Sequence, residues 1–361
     1  MNYTSKTSQP LQILGLMSGT SLDGVDLAAT TFYEDTNGWH FNLDVAETIP
    51  YSEEWKSRLK NVQYASADEL AFTNADLGKY FAELILNFNA KHQISPAFIG
   101  SHGHTIFHQP IKNFTLQIGD GAQIAARTGI DTICDFRSKD IALGGQGAPL
   151  VPIGDRLLFP NYAACINLGG IANVSYEEGG NRIGFDICPV NMLLNFLANK
   201  LDKPYDDGGE IARSGNIIPD LLEQLNQLDF YKKSTPKSLG KEWFDLAILP
   251  LINQHKEPVA DILRTSVEHI AIQHELLKNI TSTNDHILIS GGGAFNTFLI
   301  ERIASITGRK LEKPSANIIN FKEAIVFAFL AMLFVNNKDN VLCSTTGSSK
   351  NHCGGALYRG N

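Results

Sequence analysis

"LGLMSGTSLDGVDLA", Leu14 to Ala28, decides how the chain is to be read. Apolar residues flank a turn of Gly, Ser, Thr and Asp, the composition of a phosphate loop. Yet no Lys follows the glycines as in G-x-x-x-x-G-K-[ST], and G-x-G-x-x-G is not there either. What comes after the loop is "VDLAATTFY", a β-branched, alternating segment rather than a run of helical period. A P-loop or Rossmann turn needs a helix N-terminus at that point. The loop is therefore expected at a hairpin tip, with backbone N–H groups, not a helix dipole, turned toward an anion.

Upstream lies "LQILGLM"; downstream, after "EDTNG", lies "WHFNLDVAETIPY", so the first segment spells strand, loop, strand, turn, strand. Residues 52–91 switch to helical spacing, opened by Ser52 three residues before Trp55. "AFIGSHGHTIFHQP" then predicts a buried strand ending in a polar loop, and "FTLQIGDGAQIAARTGIDTICDF" a strand, a helix after Asp120 and a strand. About 150 residues after the first segment the same grammar returns in "AACINLGGIANVSYEEGGNRIGFDICP", an internal repeat. Helices are expected at Asn191–Leu201, Asp220–Leu228 and Val259–Asn279, then a strand "HILISGGG" opening a helix "AFNTFLIERIASITG".

Two such halves, 1–136 and 137–361, predict a two-domain α/β chain with a nucleotide held in a cleft between two glycine loops. That arrangement resembles the actin, hexokinase and Hsp70 superfamily, an actin-like (ribonuclease H-like) ATPase fold. A length of 361 residues suits two cores. Hydrophobic residues at 43% and charged residues at 19% exclude a disordered chain. A net charge of −8 argues against a general nucleic-acid binder. The N-terminal "MNYTSKTSQP" lacks an apolar core, so no signal peptide and a cytosolic protein are expected. "AIVFAFLAMLFV", Ala324 to Val335, is short of the about 20 residues of a membrane span and reads as a buried helix. Five Cys without C-x-x-C spacing read as reduced thiols.

The chemistry gathers in six places. In "SGTSLDGVD", Gly19 and Gly24 are expected to supply positive φ and close approach, Ser18, Thr20 and Ser21 donors, and Asp23 and Asp26 acids. Acids beside a triphosphate repel it unless a divalent cation lies between, which implies Mg²⁺ at Asp23 and Asp26. Gly169 and Gly170 in "NLGGIAN" would be the second loop, or only a bulge. Gly291, Gly292 and Gly293 lie between a strand and a helix, where a base or ribose can pack on bare backbone, or where the chain simply turns. His102 and His104 in "GSHGHT" are spaced as two metal ligands on one strand face, but no third ligand motif accompanies them, and a polar-lined pocket or a structural histidine is the reading preferred to a metal. Arg137 in "DFRSKDIALGGQGAPLVP" is a fork for carboxylate or phosphate, or a salt-bridged hinge. Asp186 leaves an apolar strand in "GFDICPVN" as a general base or a helix cap.

Taken in order, "GLMSGTSLDGVD", "GSHGHT", "LQIGDG", "DFRSKDIALGGQGAPLVP", "NLGGIANVS" and "SGGGAFN" strongly resemble the anhydro-N-acetylmuramic acid kinases from about residue 12 to the C-terminus. The resemblance implies an ATP-dependent bacterial enzyme of cell-wall recycling. It would open the 1,6-anhydro bridge of its sugar with water and phosphorylate the freed O6, giving N-acetylmuramic acid 6-phosphate and ADP. It implies that Gly19, Thr20, Ser21, Leu22, Asp23, Gly24, Val25 and Asp26 hold the ATP phosphates and Mg²⁺. It makes Asp186 the base that takes the water's proton, and places His102, Arg137 and Glu323 at the sugar. The family pattern F-D-T-G-P-G-N stands here as "FDICPVN", with Ile187, Cys188 and Val190 in place of smaller or polar residues. In "YDDGGEIARSG", Gly208 stands where the family often has a second Asp, and Asp206 is carried over in its place. Small-molecule sugar and ATP are the partners implied, with no nucleic acid and no membrane; the chain is compatible with a homodimer. The rivals are an Hsp70-like or filament-forming ATPase, another sugar kinase, and a metal-dependent hydrolase using His102 and His104.

Overall fold

The computed structural model describes residues 9–360 except 236, 281 and 283, so residues 1–8 of the polar N-terminal stretch lie outside the described residues. The chain forms two compact units, one running to Leu158 and resuming at Phe321, the other spanning Phe159–Asn320.

In the first unit, β1 (Leu11–Ser18), β2 (Gly24–Asp35) and β3 (Gly38–Pro50) form an antiparallel meander. β4 (Phe98–Gln109) pairs parallel with β1, β5 (Phe114–Ile118) folds back on β4, and β6 (Thr132–Cys134) pairs parallel with β4. A last strand, Ala356–Tyr358, closes the edge antiparallel to β6. Strand alternation divides β1 between two layers. Leu14 and Leu16 pack with Leu77, Phe81, Ile85 and Phe88 of the helix Ala67–His92. Gly15, on the other face, meets the helix Ala316–Val335 at Ala324. That helix is long and apolar enough to cross a membrane, but Ala324 to Leu333 are at most 1% exposed. It is a core helix.

The second unit repeats the topology. β7 (Ala164–Leu168), β8 (Ile171–Glu178) and β9 (Asn181–Pro189) form a meander, β10 (His286–Ser290) pairs parallel with β7, and β11 (Lys310–Glu312) parallel with β10. The two sheets share one order, in which the meander's first strand takes a parallel neighbour and that neighbour takes another. This duplicated α/β sheet is the actin-like, ribonuclease H-like fold.

The first unit does not end at residue 136 as the repeat suggested. Residues 137–158 stay with it because Arg137 binds His102, the Gln146 N–H donates to the Thr346 carbonyl, and Gly154 seats against Val326. The helical spacing at residues 52–91 resolves into the helices Glu53–Asn61 and Ala67–His92, joined by a 3-10 turn. Ser52 caps the first, its hydroxyl accepting from the Trp55 N–H at 3.2 Å. The helical run from Val259 narrows to a 3-10 helix at His274–Asn279. All five cysteines are free thiols.

Candidate active site

The opening loop is a hairpin tip, with Ser18 paired to Val25 at its base. Its left-handed residue is Leu22, φ +61°, and not a glycine. Leu22 accepts that conformation because its side chain packs onto the first unit's core and its N–H donates to the Gly19 carbonyl at 3.3 Å. Gly24 is needed for space: a Cβ there would fall 2.5 Å from the Ile49 carbonyl oxygen. At Gly19 a Cβ would meet nothing nearer than the Ser21 Oγ at 3.6 Å.

The two aspartates differ. Asp23 is exposed, whereas Asp26 is half-buried on β2, its Oδ1 accepting from the Thr48 hydroxyl at 2.5 Å. Burial raises the Asp26 pKa, the Thr48 bond lowers it, and Asp23 raises it again. A cation resting on Asp26 would have to share its coordination with phosphate oxygens, as Mg²⁺ commonly does. Among the described residues no group of three or more His, Cys, Asp or Glu forms a metal cage.

Arg137 and His102 form one assembly. The Arg137 guanidinium donates to the His102 Nε2 through Nε at 3.2 Å and Nη2 at 2.9 Å, and through Nη1 to the Gly147 carbonyl at 2.7 Å. Asp140, fully buried, accepts from the Gly147 N–H at 2.7 Å and the Thr346 hydroxyl at 2.7 Å. Arg137 and Asp140 thus grip opposite ends of the Gly147 residue, and the glycine loop is fixed rather than loose. His102 Nδ1 donates to the Gly103 carbonyl at 2.9 Å, so both ring nitrogens are engaged. Burial, then Arg137, hold the ring neutral, well below the ordinary histidine pKa. The two His102 nitrogens are thus spent on Arg137 and the Gly103 carbonyl, which makes the ring a brace for Arg137. Burial also brings the Arg137 pKa down to about 10, against the pull of Glu323 and Asp140.

Glu323 lies on the helix Ala316–Val335 and is exposed, yet surrounding protein raises its carboxyl pKa, with Arg137 drawing it down and Asp26 pushing it up. Glu323 therefore senses both Arg137 and Asp26. Beside Glu323, Lys322 forms a buried ion pair with Asp155 at 2.6 Å.

In the second unit, Asp186 leaves β9 half-buried. Its Oδ2 accepts from the Leu239 N–H at 2.8 Å, and its own N–H donates to the Lys237 carbonyl at 3.0 Å. Among the described residues nothing bonds Oδ1. The helix-cap alternative fails. The next helix, Asn191–Asn199, starts with the Val190, Asn191 and Met192 N–H groups donating to the Gly170, Gly169 and Gly170 carbonyls at 2.8, 3.1 and 3.1 Å. Asp186 pairs with Asn173 and Cys188 with Ala172, so Ile187 is a bulge residue that sets the direction of the strand just beyond the carboxylate. Ile187, Cys188 and Val190 are all in the second unit's core, so these departures from the family pattern point inward. The Lys237–Leu239 clasp carried no sequence signal.

The remaining glycines divide by cause. Gly291, φ +79°, would put a Cβ 2.3 Å from the Asn167 Oδ1, and Gly293 one 2.8 Å from Leu168. These two are accounted for by packing of the β10 turn on β7. Gly292 is exposed. Gly169 and Gly170 have ordinary φ and open surroundings, the nearest atom to a Gly170 Cβ being the Met192 Cε at 3.9 Å. Gly170→Ala should therefore change thermal stability by less than about 1 kcal/mol. If the loop approaches ATP, the variant will raise the KM for ATP; unchanged ATP kinetics would remove Gly170 from the nucleotide site. Asp206 is a cap: its two oxygens accept from the Ile211 and Ala212 N–H groups, each at 2.9 Å. It is not available as a second acid.

A family model described as anhydro-N-acetylmuramic acid kinase matches residues 11–360. The chain is 37% identical, over 98% of its length and 99% of the relative's, to a protein of that name from Shewanella frigidimarina. It is 35% identical to one from Vibrio cholerae, over 96% of this chain and 97% of the relative. Among solved structures it is similar to xylulose kinase from Lactobacillus acidophilus, at 12% identity, TM-score 0.44, and coverage of 97% of this chain and 94% of that one. The activator of 2-hydroxyisocaproyl-CoA dehydratase from Clostridium difficile gives 13% identity, TM-score 0.43, and coverage of 90% and 96%. With nearly the whole sequence matched by the family model and by relatives above 30% identity, the chain belongs to the anhydro-N-acetylmuramic acid kinase family.

Proposed function

We propose that the protein is a cytosolic kinase that hydrolyses the 1,6-anhydro bridge of anhydro-N-acetylmuramic acid and phosphorylates O6, with ATP as donor. The observation that carries the reading is Asp186, whose carboxylate is aimed by one backbone N–H, has one oxygen that nothing among the described residues bonds, and is made more basic by burial. O6 of the anhydro sugar is an ether oxygen with no proton to surrender. Water must attack C1, forming one C–O bond as the C1–O6 bond breaks, while O6 takes the γ-phosphoryl and ADP leaves. The proton released by the water goes to Asp186. Arg137, braced by His102 and the Gly147 carbonyl, and Glu323 hold the sugar. Residues Gly19 to Asp26 receive the phosphates, with Asp23 and Asp26 the two acids for Mg²⁺. When bound, that ion offsets the charge of the triphosphate.

The test is incubation of the protein with Mg-ATP and anhydro-N-acetylmuramic acid, read by mass spectrometry. The expected product is N-acetylmuramic acid 6-phosphate in step with ADP, and with ¹⁸O-water one heavy oxygen at C1. ADP without phosphosugar would favour an ATPase of the Hsp70 or filament type.

A further inference from the structure

The two histidines of "GSHGHT" differ in what their ring nitrogens still have to offer. His102 has none to spare. His104 sits across from Ser18 in the β1–β4 pairing, its Nδ1 2.8 Å from the Ser18 Oγ, and that oxygen is 2.7 Å from the Tyr51 hydroxyl. Ser18, Tyr51 and His104 are 1%, 3% and 3% exposed.

Burial dictates the direction of the protons. A buried hydroxyl that cannot donate is costly, by roughly 1–3 kcal/mol. Among the described residues Tyr51 has only the Ser18 Oγ to donate to, and burial keeps the phenol protonated. The Tyr51 proton therefore goes to Ser18, and the single Ser18 proton goes to the His104 Nδ1, which must present a lone pair. Burial pushes the His104 pKa down to about 4, so the ring is neutral at pH 7 and its one proton is on Nε2. No acceptor among the described residues reaches that Nε2. Among the described residues the Nε2 atoms of His274 and His352 are walled in without a hydrogen-bond partner; that of His104 is not one of these enclosed atoms.

We propose that His104 is a ligand-contacting hydrogen-bond donor, a neutral imidazole whose tautomer is fixed by the Tyr51–Ser18 pair and whose Nε2–H is offered to an oxygen acceptor of a ligand bound beside the Ser18–Asp23 loop. The inference rests on the kinase reading, which supplies two sources for that oxygen, a phosphoryl group of ATP and the anhydro sugar. A neutral donor suits either, because it polarises an oxygen without exchanging its proton at neutral pH.

The experiment is long-range ¹H–¹⁵N correlation on the full chain labelled at histidine, at neutral pH, with the His104 signal assigned by its loss in His104→Gln. The expected spectrum is the neutral Nε2–H tautomer. Tyr51→Phe, which removes only the first proton of the relay, should turn it into a mixture with the Nδ1–H form. A non-hydrolysable ATP analogue and the anhydro sugar are then added separately; the one that supplies the acceptor moves the His104 Nε2 resonance. In kinetics, His104→Phe should lower kcat/KM roughly tenfold for that same ligand, and His104→Gln, whose amide N–H reaches a similar position, should recover part of the loss. An Nδ1–H tautomer in the wild type, or an Nε2 signal that neither ligand moves while phosphosugar is formed, would overturn the proposal. A shift with the ATP analogue but no phosphosugar would leave the donor standing and remove the kinase reading instead.

Discussion

Asp186→Asn is expected to lower kcat for phosphosugar formation by about 10²–10⁴-fold, the range for loss of a positioned general base. The substitution is nearly isosteric, and the amide oxygen of Asn can still accept from the Leu239 N–H that holds the wild-type carboxylate at 2.8 Å. Orientation therefore survives while basicity is lost. The melting temperature and the KM for ATP should stay close to the wild-type values, because the Lys237 carbonyl still accepts from the backbone N–H at this position. Single-turnover mass spectrometry on the purified variant reads the effect. Activity within about threefold of wild type would remove Asp186 from the proton-transfer role.

The same carboxylate sets a pH dependence. Burial raises the Asp186 pKa, and the Leu239 N–H offsets only part of that rise. The base works only when ionised, so kcat/KM falls as pH drops through the raised value. The acid limb of the wild-type profile should thus lie above the ordinary aspartate value of about 3.9 and vanish in the residual activity of Asp186→Asn. A limb at or below the ordinary value would point to a carboxylate better solvated than this one.

What the sequence discloses here is what is encoded locally. The period of "VDLAATTFY" after the glycine loop was enough to separate a hairpin from a P-loop, and the pairing of Ser18 with Val25 bears this out. The repeat was legible because each half spells the same meander, and the two sheets have one strand order. Relations made only by the fold were not legible. Leu239 is 53 positions from Asp186, and Ser18 is 86 from His104. No spacing rule joins them, so the sequence offers His104 only as half of a His-x-His pair, and the resemblance places His102, not His104, at the sugar. Residues 137–158 were divided from the first unit because the partners that hold them, Thr346 and Val326, come from the chain's far end. Conformation was misplaced for a different reason. Gly19 was expected to take the left-handed turn because glycine does so at least cost, but Leu22 takes it, compensated by packing that a sequence does not display.

Gly15→Ala is expected to destabilise the first unit by about 3 kcal/mol, at the upper end of overpacking costs, and to lower its melting temperature by roughly 6–12 °C. Gly15 and Gly100 are direct partners in the β1–β4 pairing, and both face the helix Ala316–Val335. A Cβ on Gly15 would lie 1.9 Å from the Ala324 carbonyl oxygen, and one on Gly100 2.4 Å from that of Phe327, about one helical turn further on. In both cases the obstacle is backbone rather than the end of a flexible side chain, so relief requires moving the helix. Ala324 is the residue after Glu323, whose carboxyl senses Arg137 and Asp26. Displacement of the helix by a Cβ on Gly15 should therefore reach the proposed sugar site. Catalysis by the folded fraction should fall through a raised KM for the sugar, with the KM for ATP less affected. Calorimetry and sugar-dependent kinetics measured well below the melting temperature separate the two consequences. A variant with wild-type melting and wild-type sugar KM would mean that the glycine pair does not seat this helix, and with it that Glu323 owes its position to something else.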